Sequence, residues 1–144
     1  TRLLILGEGE LRAEFEALLA YLGLNDVVDL PGFDANPYAY FKYASLFVLS
    51  SNWEGLPGVL IQALASKLKV VSTNCPSGPM EILENSKFGL LVECNDQAGL
   101  TQAMRQAIFA DYVQYQEADF EAHIQQFHKQ TVLKQYLRMM ESAS

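Results

Sequence analysis

Residues 46–72 read LFVLSSNWEGLPGVLIQALASKLKVVS. Leu46, Phe47, Val48 and Leu49 form an apolar run that stops at a polar stretch rich in Ser, Gly and Pro. Residues 59–66 (VLIQALAS) then predict a helix, and Val70, Val71 and Ser72 a second strand. Neither strand alternates apolar with polar residues, which is the pattern of parallel strands covered on both faces. A helix between them supplies the crossover.

The same alternation extends in both directions. Residues 3–6 (LLIL) predict a strand ending at Gly7. In residues 11–22, Leu11, Phe15, Leu18, Leu19 and Leu22 fall on one helical stripe, closed by Gly23. Residues 27–30 (VVDL) predict a strand ended by Pro31 and Gly32, and residues 37–44 a short aromatic helix. Downstream come a Gly/Pro loop at 74–79, a short helix at 80–85 and a strand at 89–92 (GLLV). A helix follows at 96–110, with Asp96 as N-cap and Leu100, Met104 and Ile108 on one face. Leu133, Tyr136, Leu137 and Met140 mark a last amphipathic helix over 130–142. The class is α/β: a doubly wound, Rossmann-like parallel sheet with helices on both faces. Ligands of such sheets bind beyond the carboxyl ends of the strands, so the loops to inspect are 7–10, 31–36, 50–58 and 73–79.

Composition narrows the function. A length of 144 residues predicts a single domain, able to bury about two-thirds of its unfolded surface. Ten Lys+Arg against 17 Asp+Glu give a net charge of −7. That balance disfavours nucleic acid and anionic membrane surfaces, which recruit basic residues. Cys75 and Cys94 are the only cysteines and form no CxxC pair, which points to a reduced, cytoplasmic compartment without structural zinc. No apolar run approaches the ~18 residues of a transmembrane segment, and no signal-peptide pattern opens the chain. The chain starts on Thr1 and enters a strand at once, from which a piece of a longer protein is expected.

Gly7-Glu8-Gly9 follows a strand and precedes a helix, as a dinucleotide fingerprint would. The third glycine of that motif falls on Arg12, and Asp34 alone could serve as the ribose acid. The motif fails, so a tight strand-to-helix turn is expected there and no cofactor.

Residues 50–62 carry the strongest chemistry. Pro57 and Gly58 mark the first turn of the helix, so the N–H groups of Gly58, Val59 and Leu60 would point beyond the strand ends, a ready phosphate site. Glu54 sits just before that site, and Gln62 about one turn inside the helix. A diphosphate ligand would meet Glu54 on one side and Gln62 on the other. Taken singly, Glu54 reads equally as a helix-dipole partner, and Gln62 as a polar position on an exposed face.

In combination, residues 50–92 resemble the C-terminal half of family 4 glycosyltransferases, retaining enzymes of the GT-B fold. Those read SxxEGxPxxxxEAxAxGxPVV, then Gly-Pro-x-Glu-Ile, then GLLV and a D-x-x-x-L helix. Ser51, Glu54, Gly55, Pro57, Ala63, Ala65, Val70 and Val71 fall on this pattern, as do Gly78, Pro79, Glu81, Ile82, Gly89, Leu90, Leu91, Val92, Asp96 and Leu100. Residues 3–33 look like the family's upstream strand, turn, helix and strand, and Phe127 and Tyr136 its closing helix.

The resemblance implies the donor-binding half of a transferase that moves a sugar from a UDP- or GDP-sugar to an acceptor, in glycan, polysaccharide or glycolipid synthesis. By it, Glu54 is the catalytic-site acid holding donor-sugar hydroxyls. Gly55, Leu56, Pro57, Gly58, Val59 and Leu60 lie along the diphosphate site, and Phe33 and Asp34 in the base pocket. Gln62 stands where the family has a ribose-gripping glutamate; an amide keeps one acceptor but loses the charge. Lys67 and Lys69 replace the usual Gly and Pro. The family's basic donor-phosphate residues, the central strand before them and the N-terminal acceptor domain fall outside this sequence. The isolated chain is therefore expected to be inactive, and the resemblance leaves peripheral membrane association open to the full enzyme. A non-catalytic nucleotide-binding module with a degenerate site and an epimerase-like GT-B domain share the same scaffold. The joint presence of Glu54-Gly55-x-Pro57 and Gly78-Pro79-x-Glu81 favours the transferase.

Three further groups read as structural. His123 and His128 are expected on solvated helix positions, Cys75 as a small packed residue without a basic neighbour. Tyr38, Tyr40, Phe41, Tyr43 and Phe47 are expected to fill core.

Overall fold

The computed structural model describes residues 1–110 and 115–142. Strands and helices alternate as β1 (Leu3–Leu6), α1 (Arg12–Leu22), β2 (Val28–Gly32), α2 (Tyr38–Phe41), β3 (Leu46–Leu49), α3 (Gly58–Ala65) and β4 (Lys69–Thr73). They continue with α4 (Pro79–Ile82), β5 (Leu90–Val92), α5 (Gln97–Phe109), α6 (Glu117–Gln125) and α7 (Lys129–Ser142). All strand pairs are parallel. Among the described residues the strands hydrogen-bond in two sets, β1-β2 and β3-β4-β5. The chain likewise forms two compact units, Thr1–Tyr40 and Phe41–Ser144.

In the first unit, Leu3 pairs with Val28 and Leu4 with Asp29, but Leu6 pairs with Gly32, so β2 carries one extra residue. The slip falls around Pro31, which has no N–H to give to the ladder. Helix α1 ends as its glycine predicts: Gly23 is left-handed (φ 66), and Gly23 and Leu24 donate to Ala20 O and Leu19 O at 3.2 and 2.9 Å. Its predicted apolar stripe is not covered: Leu11, Phe15, Leu18 and Leu22 remain exposed.

The second unit is wound on both faces. Register is unbroken from Leu46↔Lys69 to Leu49↔Ser72 and from Val71↔Leu90 to Thr73↔Val92. Successive strand residues point to opposite faces. Val70 joins Leu60, Leu64, Ile82, Phe88 and Phe120 in one cluster, while Val71 joins Ala103 and Ala107 of α5 in another. Asp96 caps α5 as predicted, its Oδ1 accepting from Gly99 N at 2.8 Å.

Several expectations need correction. Helix α4 stops at Ile82 instead of running to Asn85, because Glu84, Asn85 and Ser86 all adopt positive φ (45, 54 and 73). Helix α2 is shorter than expected, and the aromatic group is not a common core: Phe41 is buried with Phe47 edge-on at 5.8 Å, but Tyr38 and Tyr43 are exposed. Helix α6 was not foreseen, and it overturns the reading of His123 as solvated. That ring is buried, stacked at 4.4 Å on Phe88, with Nε2 2.7 Å from Ile82 O and Nδ1 2.6 Å from Gln126 Nε2. His128 is exposed as expected.

Candidate functional site

In the second unit, β3 delivers the chain into residues 50–57, and Pro57 occupies the N-cap of α3. Proline presets a helical φ and sacrifices only an amide that the first turn could not use. Among the described residues no side chain caps this end, so the helix opens with free donors and the positive end of its dipole. Leu60 lies in the first turn of α3. Its amide donates to Pro57 O at 3.0 Å and its side chain is 0% exposed in the core. Leu60 N is thus engaged inside the first turn, and Gly58 and Val59 precede it at the start of α3.

Glu54 is half-buried at this helix end, and the Ser51 hydroxyl donates to its Oε1 at 2.6 Å. The Ser51 carbonyl is held in turn by the Thr73 hydroxyl, which also lies 3.3 Å from Leu49 O. Thr73 opens the 73–79 loop singled out from the sequence, but its contact was not foreseen; the signal for it is a β-branched hydroxyl residue ending β4 beside β3. Gly55, Leu56 and Trp53 are exposed along the loop, and Pro57 is buried. The loop at 74–78 crosses directly behind. Gly78, at φ 87, comes so near that a β-carbon there would lie 2.4 Å from Gly55 O and 2.4 Å from Pro57 Cδ. The two loops quoted as separate motifs thus meet in one structure. Glu81, in the first turn of α4, is exposed.

Gln62 is half-buried one turn inside α3, not on a fully exposed face. Cys75 is packed as expected; burial pushes its thiol up, and the charges of Cys94 and Glu54 push the same way.

Phe33 and Asp34 belong to the first unit and are described with it. Phe33 is 77% exposed. Asp34 Oδ1 accepts from Asn36 N at 2.8 Å and Oδ2 from the Tyr40 hydroxyl at 2.8 Å. Those bonds hold the carboxyl below the usual carboxylate range and raise the Tyr40 phenol. At the Gly7-Glu8-Gly9 turn, Arg12 bonds Glu8 at 2.6 Å, Glu16 at 2.8 Å and Leu30 O at 2.8 Å. The residue that breaks the dinucleotide motif is therefore the one that ties the turn to β2. Among the described residues no cluster of three or more His, Cys, Asp or Glu could hold a metal, and no helix is long and apolar enough to cross a membrane.

Comparison with known proteins shows the family. Residues 1–137 match the family model for "Glycosyl transferases group 1". Over 104 residues the chain is 41% identical to the N-acetylgalactosamine-N,N'-diacetylbacillosaminyl-diphospho-undecaprenol 4-alpha-N-acetylgalactosaminyltransferase of Campylobacter jejuni, covering 72% of this chain and 28% of that protein. The lipopolysaccharide outer core galactosyltransferase WaaB superposes with a TM-score of 0.84 at 22% identity, over 99% of this chain and 41% of that one. Anabaena Alr3699/HepE, solved in complex with UDP, does so at 0.80 and 20% identity, over 99% and 41%. The chain spans less than half the length of each of these proteins. It has the α/β architecture of GT-B glycosyltransferases and belongs to the group 1 glycosyl transferases.

Proposed function

We propose that this chain is the donor-binding half of a retaining, family 4-type glycosyltransferase. It takes a sugar from a UDP- or GDP-sugar and passes it to an acceptor in cell-envelope polysaccharide or glycolipid synthesis, at the cytoplasmic side. The observation that carries this reading is the uncapped start of α3 with Glu54, held by Ser51, immediately before it.

Cleaving the sugar–diphosphate bond leaves negative charge on the diphosphate. Fixed amides and a helix dipole aimed at that charge lower the barrier without reorganising. Gly58 and Val59 supply those amides. Glu54 accepts hydrogen bonds from donor-sugar hydroxyls close to the reacting carbon, with its second oxygen left for the ligand when Ser51 holds the first. Gln62 faces the ribose. The complete enzyme adds an N-terminal acceptor domain and a further strand. The lipid-linked acceptor named for the C. jejuni relative and the lipopolysaccharide role of WaaB support an envelope acceptor. The UDP complex of HepE supports the nucleotide. Gln62 favours one second reading, a nucleotide-binding module without turnover, because it replaces a charged ribose ligand.

Calorimetry with UDP and GDP tests the site. One of the two binds this chain, Gln62→Glu tightens it, and Glu54→Ala weakens binding of the matching nucleotide sugar more than of the bare nucleotide. If neither nucleotide binds even to Gln62→Glu, the donor-site reading is wrong.

A further inference from the structure

Helix α4 is a single turn, too short to hold its own place. Contacts from elsewhere in the second unit fix it at both ends. At its start, Gly78 is the cap residue and leaves no room for a β-carbon against Gly55 O and Pro57 Cδ. Past its end the chain turns away at once, since Glu84, Asn85 and Ser86 are all left-handed. Ile82 joins the two ends. Its amide donates to Gly78 O at 2.8 Å, and its carbonyl oxygen lies 2.7 Å from Nε2 of His123. Ile82 is 0% exposed and closes the helix, so its carbonyl needs a donor from outside the turn. His123 is itself firmly held: its ring stacks on Phe88 at 4.4 Å, and Nδ1 lies 2.6 Å from Gln126 Nε2. The helix that carries it, α6, begins with Glu117, which pairs with Lys67 just past the end of α3. Helix α6 thus grips the end of α3 through Glu117 and the end of α4 through His123.

We propose that His123 is a positioning residue for the donor site: by holding Ile82 O it keeps Gly78 seated against the loop that carries Glu54 and opens α3. The relay is three contacts long. His123 donates to Ile82 O, Ile82 N donates to Gly78 O, and Gly78 presses on Gly55 and Pro57. Two links are hydrogen bonds and the third is a contact with no space in it, so a shift at Ile82 reaches Gly55 without being absorbed. An Ile82 carbonyl that loses its donor must find another, and α4 has to move to reach one. His123 takes no part in the chemistry and acts on the start of α3 only through α4. Its two ring nitrogens have separate duties: Nε2 serves the relay, whereas Nδ1 serves Gln126 within α6. Losing the Gln126 amide therefore loosens α6 but leaves the relay intact. The effect on ligand rests on the donor-site reading; the hold on α4 does not.

The native chain, His123→Leu, His123→Gln and Gln126→Ala are compared by calorimetric titration with UDP and GDP and by amide hydrogen exchange, at a temperature where circular dichroism shows them folded. Leucine keeps bulk but cannot donate, and glutamine carries an amide N–H in place of the ring N–H. In His123→Leu the Ile82 amide should exchange faster, and the nucleotide should bind about tenfold more weakly, the scale of one lost hydrogen bond. His123→Gln should recover most of both. Gln126→Ala should unfold at lower denaturant yet keep the native affinity, a split that a merely structural role does not produce. Equal affinity in His123→Leu and the native chain overturns the inference. So does a loss in Gln126→Ala as large as in His123→Leu. Coupling is reciprocal, so saturating nucleotide should slow Ile82 exchange in the native chain; unchanged exchange there overturns the inference without any variant. If the native chain binds neither nucleotide, the donor-site reading fails. Ile82 exchange in His123→Leu then still decides the hold on α4: faster exchange supports it, and unchanged exchange rejects it.

Discussion

Gly78 presses against Gly55: a β-carbon on Gly78 would stand 2.4 Å from the Gly55 carbonyl oxygen. No flexible side chain is available to yield there, because the other close atom is Cδ of Pro57 at 2.4 Å. Gly78 also sits at φ 87, a conformation other residues adopt only with strain. Gly78→Ala must therefore push the loop at 74–78 away from the start of α3. We expect a loss of about 2 kcal/mol or more in denaturant unfolding, and nucleotide binding weakened beyond what residual unfolding explains. Unchanged stability would show that the two loops part freely.

If Glu54 holds the donor sugar as proposed, the Ser51 hydroxyl acts through Glu54, to which it is bonded at 2.6 Å. Ser51→Ala should weaken a nucleotide sugar by about tenfold, the scale of one hydrogen bond to a charged group, and leave the bare nucleotide nearly unaffected. Combined with Glu54→Ala it should add little further, because contacting residues in one network are not additive. Additive losses in such a double-mutant cycle, read by calorimetry, would separate Ser51 from Glu54.

What could be read in the sequence was local. Gly23 as a helix stop, Asp96 as an N-cap and Pro57-Gly58 as a helix start each rest on chemistry within one turn, and each is where it was expected. The closeness of Gly78 to Gly55 joins residues 23 positions apart, and no spacing rule encodes it. Helix α6 was missed for a related reason. Phe120, His123 and Ile124 make a sparse stripe among polar residues, and it becomes apolar in effect only when Phe88 faces it. The exposed stripe of α1 shows the converse: the periodicity was legible, but periodicity alone does not decide burial.

His123 should therefore matter to stability, through its contacts with Ile82, Gln126 and Phe88. Ile82 O can only accept, so Nε2 carries the hydrogen and Nδ1 accepts from the Gln126 amide. His123→Ala leaves a buried carbonyl unpaired and a void beside Phe88, costing about 2–4 kcal/mol in chemical denaturation. His128→Ala, at an exposed position, should stay within about 0.5 kcal/mol. Equal effects of the two substitutions would contradict the burial of His123.

The Asp34–Tyr40 contact gives a pH signature to the first unit. Asp34 binds its proton less tightly in the folded chain, chiefly through the Asn36 amide and then through Tyr40. Its contribution is thus fully present above the ordinary carboxylate value of about 4 and is lost as pH falls through the lowered folded value. Tyr40 is raised chiefly by its bond to Asp34, so its contribution is present below the ordinary phenol value of about 10 and is lost as pH rises through the raised one. The causes differ in rank, and that separates the two substitutions. Tyr40→Phe removes only the smaller influence on Asp34, whose carboxyl should move part of the way up and remain low. Asp34→Asn removes the main influence on Tyr40, whose phenol should return close to its ordinary value. Carbon-detected NMR titration of the Asp34 carboxyl and ultraviolet titration of Tyr40 read both. A full return of Asp34 in Tyr40→Phe would show that the Asn36 amide does not hold it.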